Sequence, residues 1–263
     1  MSSLSLAVRD TNTMLRRNLL HARRYPSLTL NLLLTPVMLL LLFVYIFGGV
    51  MSAGIGGGGA DRSGYIAYLV PGLLLMTIGS TTIGTAVSVS TDMSEGVIAR
   101  FRTMAIHRGS VLIGHVVGSV LQSIASVVLV GAVAVAIGFR STGATALEWL
   151  AAFGLLTLFA LALTWIAVGM GMVSPNAEAA SNNALPLIFL PLISSTFVPI
   201  DAMPGWFQPI AEYQPFTPAI ETLRGLLLGA EIGHNGWLAV AWCLALSLLG
   251  HYWSKATFNR DPK

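Results

Sequence analysis

The sequence has 263 residues, of which 55% are hydrophobic and only 10% are charged, and its net charge is +3. A soluble domain carries roughly 25% charged residues, so this composition excludes a soluble globular protein and indicates one integral membrane domain. The small positive charge favours anionic lipid headgroups over nucleic acid, and the single cysteine, Cys243, excludes a disulfide framework within one chain.

Residues 1–26 predict an amphipathic helix that lies on the membrane surface. Leu4, Val8 and Leu15 recur at helical spacing, whereas Arg9 and Arg16 fall on the opposite side. The basic face would meet lipid phosphates and the leucine face would enter the acyl boundary, until a Tyr-Pro step breaks the helix. A disordered basic tail is the alternative interpretation.

Six stretches beyond this helix are apolar enough to cross the hydrocarbon layer, which takes about 20 residues per helix. They cover residues 28–50, 65–88, 111–138, 147–173, 184–198 and 236–253. Eleven basic residues fall on one side of this array, and three fall on the other side, namely Arg62, Arg140 and Arg224. The positive-inside rule therefore places both termini, including a tail of residues 254–263, in the cytoplasm.

The connection between the second and third predicted spans predicts a short amphipathic helix in the cytoplasm. Val97, Phe101 and Met104 share one helical face, and acidic and basic side chains accompany them. This mixture of apolar and charged groups suits docking to another protein. A purely structural loop is the alternative.

Residues 199–230 contain apolar runs that are each too short to cross the membrane. Asp201 is predicted to cap a first short helix, and Thr217, followed by Pro218, is predicted to cap a second. The pattern favours a re-entrant or interfacial hairpin before the last span over a simple extracellular loop. Four aromatic residues would anchor the pair at the membrane interface: Trp206, Phe207, Tyr213 and Phe216.

The predicted spans contain no central lysine, arginine, aspartate or glutamate, which argues against a proton- or sodium-coupled carrier, although backbone carbonyls can also bind sodium. His115 and His251 lie near cytoplasmic span ends and are interpreted as satisfied interfacial groups. The glycine-rich run at residues 54–59 lacks the Lys-Ser/Thr ending of a phosphate-binding loop, and no hydrolase elbow or HExxH motif occurs. The chain is therefore predicted to have no catalytic, metal or nucleotide site of its own.

Small and hydroxyl-bearing residues are frequent in the second and third spans, where they predict close helix packing with shared hydrogen bonds or, in part, a substrate path. The second span holds Thr77, Ser80, Thr81, Thr82, Thr85 and Ser88. Around the fifth span, two prolines free backbone carbonyls that a transport path or a subunit interface would satisfy. The residues predicted for this role are Asn182, Asn183, Ser194, Ser195 and Thr196.

The two most distinctive stretches are STDMSEGVIARFRTM at residues 90–104 and FVPIDAMPGW at residues 197–206, the second continuing in QPFTP and LRGL. In these stretches, and over almost its full length, the chain resembles the type-2 permeases of ATP-binding-cassette (ABC) exporters, specifically the daunorubicin-resistance branch. The resemblance implies a single all-α membrane domain with an N-terminal amphipathic elbow helix at residues 1–26 and six transmembrane helices, five of them within residues 28–198. An external re-entrant hairpin at residues 199–230 would precede the last span. Two permeases, the second being the same or a homologous chain, would pair with two cytoplasmic ATPases that bind ATP and Mg²⁺.

The resemblance also implies a function and roles for individual residues. The implied function is export of amphipathic drugs or lipid-like molecules across a bacterial inner membrane. Export of polysaccharide or glycolipid, an ion-coupled secondary transporter and a membrane-bound enzyme are the alternatives. The coupling helix that rests on the ATPase would use Asp92, Glu95, Arg100, Phe101, Arg102 and Met104. The external hairpin would use Pro199, Asp201, Pro204, Trp206, Pro215, Thr217 and Arg224.

Overall fold

The computed structural model describes residues 26–47, 62–95, 108–141 and 143–259. Every regular element in these ranges is a helix, in agreement with the all-α prediction. The predicted elbow helix before Pro26, the glycine-rich run at residues 54–59 and residues 96–107, which include most of the predicted coupling helix, lie outside the described residues.

Four helices in the described ranges are long and apolar enough to cross a membrane: Ser63–Ser94, Leu112–Ala136, Ala146–Val173 and Asn235–Phe258. They coincide with the second, third, fourth and sixth predicted spans. The first predicted span corresponds to helix α1 (Pro26–Leu42) and a π-helical turn (Phe43–Phe47) that extends it, with an apolar stretch at Leu34–Ile46. The α-helices are α1 (Pro26–Leu42), α2 (Arg62–Ser94), α3 (Arg108–Ala136), α4 (Ala146–Val173), α5 (Ala177–Ala184), α6 (Pro186–Phe189), α7 (Gln208–Tyr213), α8 (Phe216–Leu228) and α9 (Asn235–Asn259).

Helices α2 and α3 form an antiparallel pair. Thr81 in α2 hydrogen-bonds Ser123 near the middle of α3, with 2.7 Å between the hydroxyl oxygens. Asp92, in the last turn of α2, lies 3.0 Å from His115, which is near the start of α3. The bundle thus has two ends. We call the end that holds the last turn of α2 the Asp92 end, and the opposite one the hairpin end.

Helices α4 and α9 join the bundle through glycine contacts. A Cβ atom on Gly171 of α4 would lie 2.5 Å from the carbonyl oxygen of Ala86 in α2. A Cβ atom on Gly250 of α9 would lie 2.7 Å from the backbone of Trp165 in α4. Both distances are too short for a real carbon atom, so the observed approach of these helices requires glycine. Helix α2 is the most enclosed, with 83% of its apolar window buried, compared with 17% for α9.

The fifth predicted span is not one continuous helix. Residues 177–193 follow a helical course in three pieces, α5, α6 and a 3₁₀ turn (Leu190–Ile193), and residues 194–197 form a turn. Pro186 and Pro191 interrupt the helix, because each lacks a backbone N–H group and removes one bond from the helical ladder. The structure thus divides the predicted fifth span, residues 184–198, at these two prolines, and its helical course begins earlier, at Ala177.

The hairpin region does not use the predicted helix caps. Asp201 lies inside a 3₁₀ turn (Ile200–Ala202) that has no side-chain cap, so it caps no helix. Helix α8 begins at Phe216, two residues earlier than a Thr217 cap would allow. The hydroxyl group of Thr217 donates to the carbonyl of Ala211 instead. Both predicted caps are wrong, because the local pattern does not reveal the contacts that these residues make in the folded chain.

Helix α8 enters the bundle from the hairpin end to about its middle. It has 13 residues, or about 20 Å of length, which is less than the ~30 Å hydrocarbon layer. Its first residue, Phe216, is fully buried, with its ring centroid 4.9 Å from that of Phe159 in the middle of α4. Near the other end of α8, the Leu227 carbonyl accepts a hydrogen bond from Ser141 in the loop before α4. The prediction that Phe216 is an interfacial anchor is therefore wrong.

Candidate functional site

A buried arginine organises the hairpin end of the bundle. Arg224 of α8 is only 5% exposed. Its Nε and Nη2 groups donate to the carbonyl oxygen of Tyr68 in α2 at 3.1 and 3.0 Å, and Nη2 also donates to the carbonyl oxygen of Ser195 at 2.6 Å. Its Nη1 group donates to Glu221 Oε1 at 2.6 Å and to Ser195 Oγ at 3.3 Å.

The Tyr68 side chain covers the face of the same guanidinium. The guanidinium carbon lies 3.5 Å from the centroid of the Tyr68 ring, which makes a cation–π contact. The Tyr68 hydroxyl group donates to the Ser195 carbonyl at 2.9 Å. A buried charge is costly unless it is paired and hydrogen-bonded, and here both the edge and the face of the guanidinium have partners. We call Arg224, Tyr68, Ser195 and Glu221 the arginine site; it joins α2, α8 and the divided fifth span.

The turn at Ser194, Ser195 and Thr196 is buried and satisfies its own backbone with hydroxyl groups. Ser194 Oγ donates to the Pro191 carbonyl at 2.6 Å and accepts from the N–H of Thr196 at 3.2 Å. A Cβ atom on Gly72 of α2 would lie 2.9 Å from Thr196 Cα, so the turn is pressed directly against α2. These three residues thus form a buried turn that packs against α2. Their predicted role in a transport path or subunit interface stays a prediction.

The other predicted hairpin residues divide into a buried and an exposed group. Thr217 is 1% exposed and accepts hydrogen bonds from the N–H of Ser195 at 3.4 Å and from the Gln214 side chain at 3.2 Å. It therefore extends the arginine site. Trp206 is 76% exposed, which suits a residue at a membrane interface. Asp201 and Pro204 are exposed as well, while Pro199 and Pro215 are partly buried.

A seam of hydroxyl groups joins α2, α3 and α4 in the interior of the bundle. Besides the Thr81–Ser123 contact, Thr85 hydrogen-bonds Ser119, whose hydroxyl oxygen lies 3.4 Å from that of Thr164 in α4. All five residues are buried. These contacts confirm the predicted sharing of hydrogen bonds between closely packed helices.

Replacing Thr85 with valine is expected to lower the free energy of unfolding by about 0.6–1 kcal/mol, because an interhelical hydrogen bond in a membrane protein contributes roughly that much. Unfolding in SDS, followed by circular dichroism, measures the change. Thr157→Val is the matched control, since the Thr157 hydroxyl donates to the Phe153 carbonyl of its own helix. Equal losses in the two variants would show that the seam adds nothing between helices.

The Asp92 end carries the residues that were expected to meet the ATPase. Asp92 is only 6% exposed and belongs to the last turn of α2, where it contacts His115. Its carboxylate is thus buried against α3, which corrects its predicted place on a docking surface. Glu95, just past the end of α2, is exposed. The other predicted coupling residues lie outside the described residues, namely Arg100, Phe101, Arg102 and Met104, so the coupling helix stays a prediction.

Asn182 and Asn183 lie at the Asp92 end rather than beside the Ser194 turn. Both are exposed on α5, and the Asn183 side chain donates to Ser174 Oγ, at the end of α4, at 2.9 Å. The five residues that the sequence grouped as one path or interface therefore fall into two clusters at opposite ends of the bundle. The divided helical course between them separates the clusters.

Sequence reasoning missed two members of the arginine site, Tyr68 and Glu221. Glu221 precedes Arg224 by one helical turn, and this spacing is a signal for an ion pair on a helix. Tyr68 carries no comparable signal, because it is 156 residues from Arg224 in sequence and meets it only in the folded chain. Among the described residues, no group of His, Cys, Asp or Glu side chains could hold a metal ion.

Comparison with known proteins agrees with a membrane protein built from long apolar helices. The ABC-2 type transporter family matches residues 9–228. The chain is similar to the daunorubicin resistance ABC transporter permease protein DrrB1 of Streptomyces coeruleorubidus, with 29% identity over 227 residues, 85% of this chain and 76% of that protein.

Two further relatives are more distant. The probable doxorubicin resistance ABC transporter permease protein DrrC of Mycobacterium tuberculosis is 22% identical over 60% of this chain and 58% of its own length. Nodulation protein J of Rhizobium meliloti is 24% identical over 73% of each chain. These matches confirm the resemblance that the two sequence stretches suggested. Since the family match covers most of the chain, the protein belongs to the ABC-2 type transporter family of multi-pass membrane permeases.

Proposed function

We propose that the chain is the membrane subunit of a bacterial ABC exporter that moves amphipathic drugs or lipid-like molecules out of the cell. Family membership gives the permease class. The similarity to two permeases that are named for daunorubicin and doxorubicin resistance is the observation that supports this cargo. ABC-2 permeases work with ATPase subunits, so a separate cytoplasmic ATPase, in two copies, supplies the energy, and a second permease completes the complex.

The proposed topology has six crossings, made by α1, α2, α3, α4, the divided residues 177–198 and α9. The divided course supports a fifth crossing, because Asn183 lies beside Ser174 at the Asp92 end and Ser195 lies beside Arg224 at the hairpin end. The distribution of basic residues places the Asp92 end in the cytoplasm. Helices α7 and α8 then form the external re-entrant hairpin.

Helix α2 links the two proposed working parts of this permease. The stretch from Tyr68 to Asp92 rises about 36 Å, at ~1.5 Å per residue, which is close to the thickness of a bilayer. Closure of the ATPases around ATP would displace the coupling helix that follows Ser94. Because α2 is packed on most of its faces, it would carry that displacement to the arginine site and the hairpin. Movement of the hairpin would open the path between the two permeases.

Transport by a reconstituted complex tests this function. The permease, expressed in its native host and purified with its co-purifying ATPase, is placed in vesicles with daunorubicin as cargo. We expect drug movement that requires ATP and both subunits, and none with the permease alone. Drug movement driven by an ion gradient through the permease alone would refute the proposal. Movement of a glycolipid but not of daunorubicin would refute drug export and support the alternative function, export of polysaccharide or glycolipid.

Charge reversal at the proposed docking surface is expected to uncouple the complex. Glu95→Lys combined with Arg100→Glu should lower drug-stimulated ATPase activity by about tenfold. Each reversed side chain would then face a charge of its own sign on the ATPase, and the two would repel each other. Membrane insertion, measured by protease protection, should not change. Glu178→Lys is the matched control, since Glu178 is exposed on α5 at the same end of the bundle. An equal loss in this control would contradict a specific docking role for Glu95 and Arg100.

A further inference from the structure

Asp92 and His115 form a buried contact that the proposed export mechanism does not yet use. Asp92 Oδ2 lies 3.0 Å from His115 Nε2, and the exposed fractions of the two side chains are 9% and 6%. Asp92 is in the last turn of α2, and His115 is near the start of α3. The contact therefore joins the two helices at the base of the chain segment that connects them.

A second link at the same end ties α2 to its other neighbours. Ser90 Oγ donates to the Ser174 carbonyl at the end of α4 at 3.4 Å, and Asn183 of α5 donates to Ser174 Oγ at 2.9 Å. Deeper contacts between α2 and α3, such as that of Thr85 with Ser119, join neutral hydroxyl groups. An ionisable pair thus stands at the end of α2 and about two helical turns into α3, nearer to the connecting segment than these hydroxyl contacts.

An ionisable pair is a costly way to join two helices of a membrane protein. A buried carboxylate and imidazole lose their hydration, and an apolar pair of similar volume generally stabilises a fold at least as well. What the polar pair contributes instead is a fixed relative position of the two helices, because a hydrogen bond holds its two groups at one distance and angle. Apolar side chains in the same place would let the two helix ends slide past each other.

We propose that Asp92 and His115 are positioning residues that make α2 and α3 respond together when the ATPase displaces the segment between them. The inference rests on the proposed function, because it takes the ATPase as the source of that displacement. With the contact intact, both helices receive the same displacement. Without it, sliding at the helix ends absorbs part of the motion, and ATP is hydrolysed with less transport.

The test measures daunorubicin molecules moved per ATP hydrolysed by the full permease–ATPase complex in vesicles. Asp92→Leu combined with His115→Leu removes the polar contact and leaves neither group of the pair behind. We expect its transport per ATP to fall at least about fivefold, a typical size for coupling between sites. Asp92→Asn keeps an oxygen acceptor for His115 and is expected to retain more than about half of the coupling.

Thr85→Val combined with Ser119→Ala is the matched control, since it removes a deeper contact between the same two helices. Its transport per ATP should stay within about twofold of the wild type. If the leucine pair does not reach the membrane, Asp92→Val combined with His115→Phe, a second apolar pair with a ring at residue 115, is judged by the same ratio. Normal coupling in either apolar pair would overturn the positioning role, as would an equal loss in the Thr85 and Ser119 control.

The wild-type complex separates the two proposals. If it shows ATP-driven transport and the leucine pair couples normally, only the positioning role fails. If the wild-type complex shows no ATP-driven transport, the proposed function fails, and this inference fails with it.

Discussion

Replacing Arg224 with methionine is expected to lower the free energy of unfolding by about 3 kcal/mol or more and to abolish transport, because it removes a buried cation that joins three parts of the chain through charged hydrogen bonds. The change leaves the carbonyl groups of Tyr68 and Ser195 without this donor, and the partly buried Glu221 without its cation. Each hydrogen bond to a charged group contributes about 1.5–3 kcal/mol. Unfolding in SDS measures the stability, and drug uptake into vesicles measures the function.

Two further variants define what Arg224 contributes. Arg224→Lys keeps the charge but replaces the planar fork with a single ammonium group, which cannot bridge Tyr68 and Ser195 while stacking on the ring, so only partial recovery is expected. Arg140→Met is the matched control at the same end of the bundle. Arg140 is exposed, and its hydrogen bonds within the described part of the chain go to the carbonyls of Val135 at 2.8 Å and Phe139 at 3.0 Å, so we expect its loss to matter little. Equal losses at both arginines would contradict a special role for the arginine site.

Gly171→Ala is expected to destabilise the permease by about 1–3 kcal/mol, the usual range for overpacking of a close contact. The new Cβ atom would meet the Ala86 carbonyl at 2.5 Å and the Val89 Cβ atom at 3.0 Å, and neither can move without shifting α2. Gly154→Ala in the same helix is the control, because nothing lies within 4 Å of its new methyl group. The Gly154 variant should be unchanged or slightly more stable, since alanine favours a helix over glycine. The same loss in both variants would show that the approach of α4 to α2 is not tight.

The long helices could be predicted from the sequence because the bilayer imposes a simple rule. A chain that crosses lipid must satisfy its backbone hydrogen bonds within itself, so an apolar run of sufficient length forms a helix regardless of its neighbours. Helix α2 extends beyond the predicted residues 65–88 at both ends, to Arg62 and Ser94, because hydropathy detects only the lipid-like part of a helix. The fifth predicted span departs from this rule, because its two prolines interrupt the backbone hydrogen bonds on which the rule depends.

The site was less predictable because hydropathy does not distinguish a protein interior from lipid or from its interface. Phe216 is an aromatic residue in a segment typical of a membrane interface, yet it packs against Phe159 inside the bundle. Thr217 has the pattern of a cap, yet it hydrogen-bonds residues that come from other turns of the chain. Asp92 could be matched with His115 only from the register of α2 against α3, which the sequence alone does not provide.

The contrast between an enclosed α2 and a largely exposed α9 also determines how the surrounding lipid acts on this protein. Bilayers with longer or shorter acyl chains tilt or shift the helices that they touch, at a small cost for each ångström of mismatch. Helix α9 would therefore adjust first when the membrane becomes thicker or thinner. The distance from Asp92 to the arginine site would be preserved, because neighbouring helices shield most of α2 from lipid. The permease could thus work in membranes of varied composition without changing the length of its central helix.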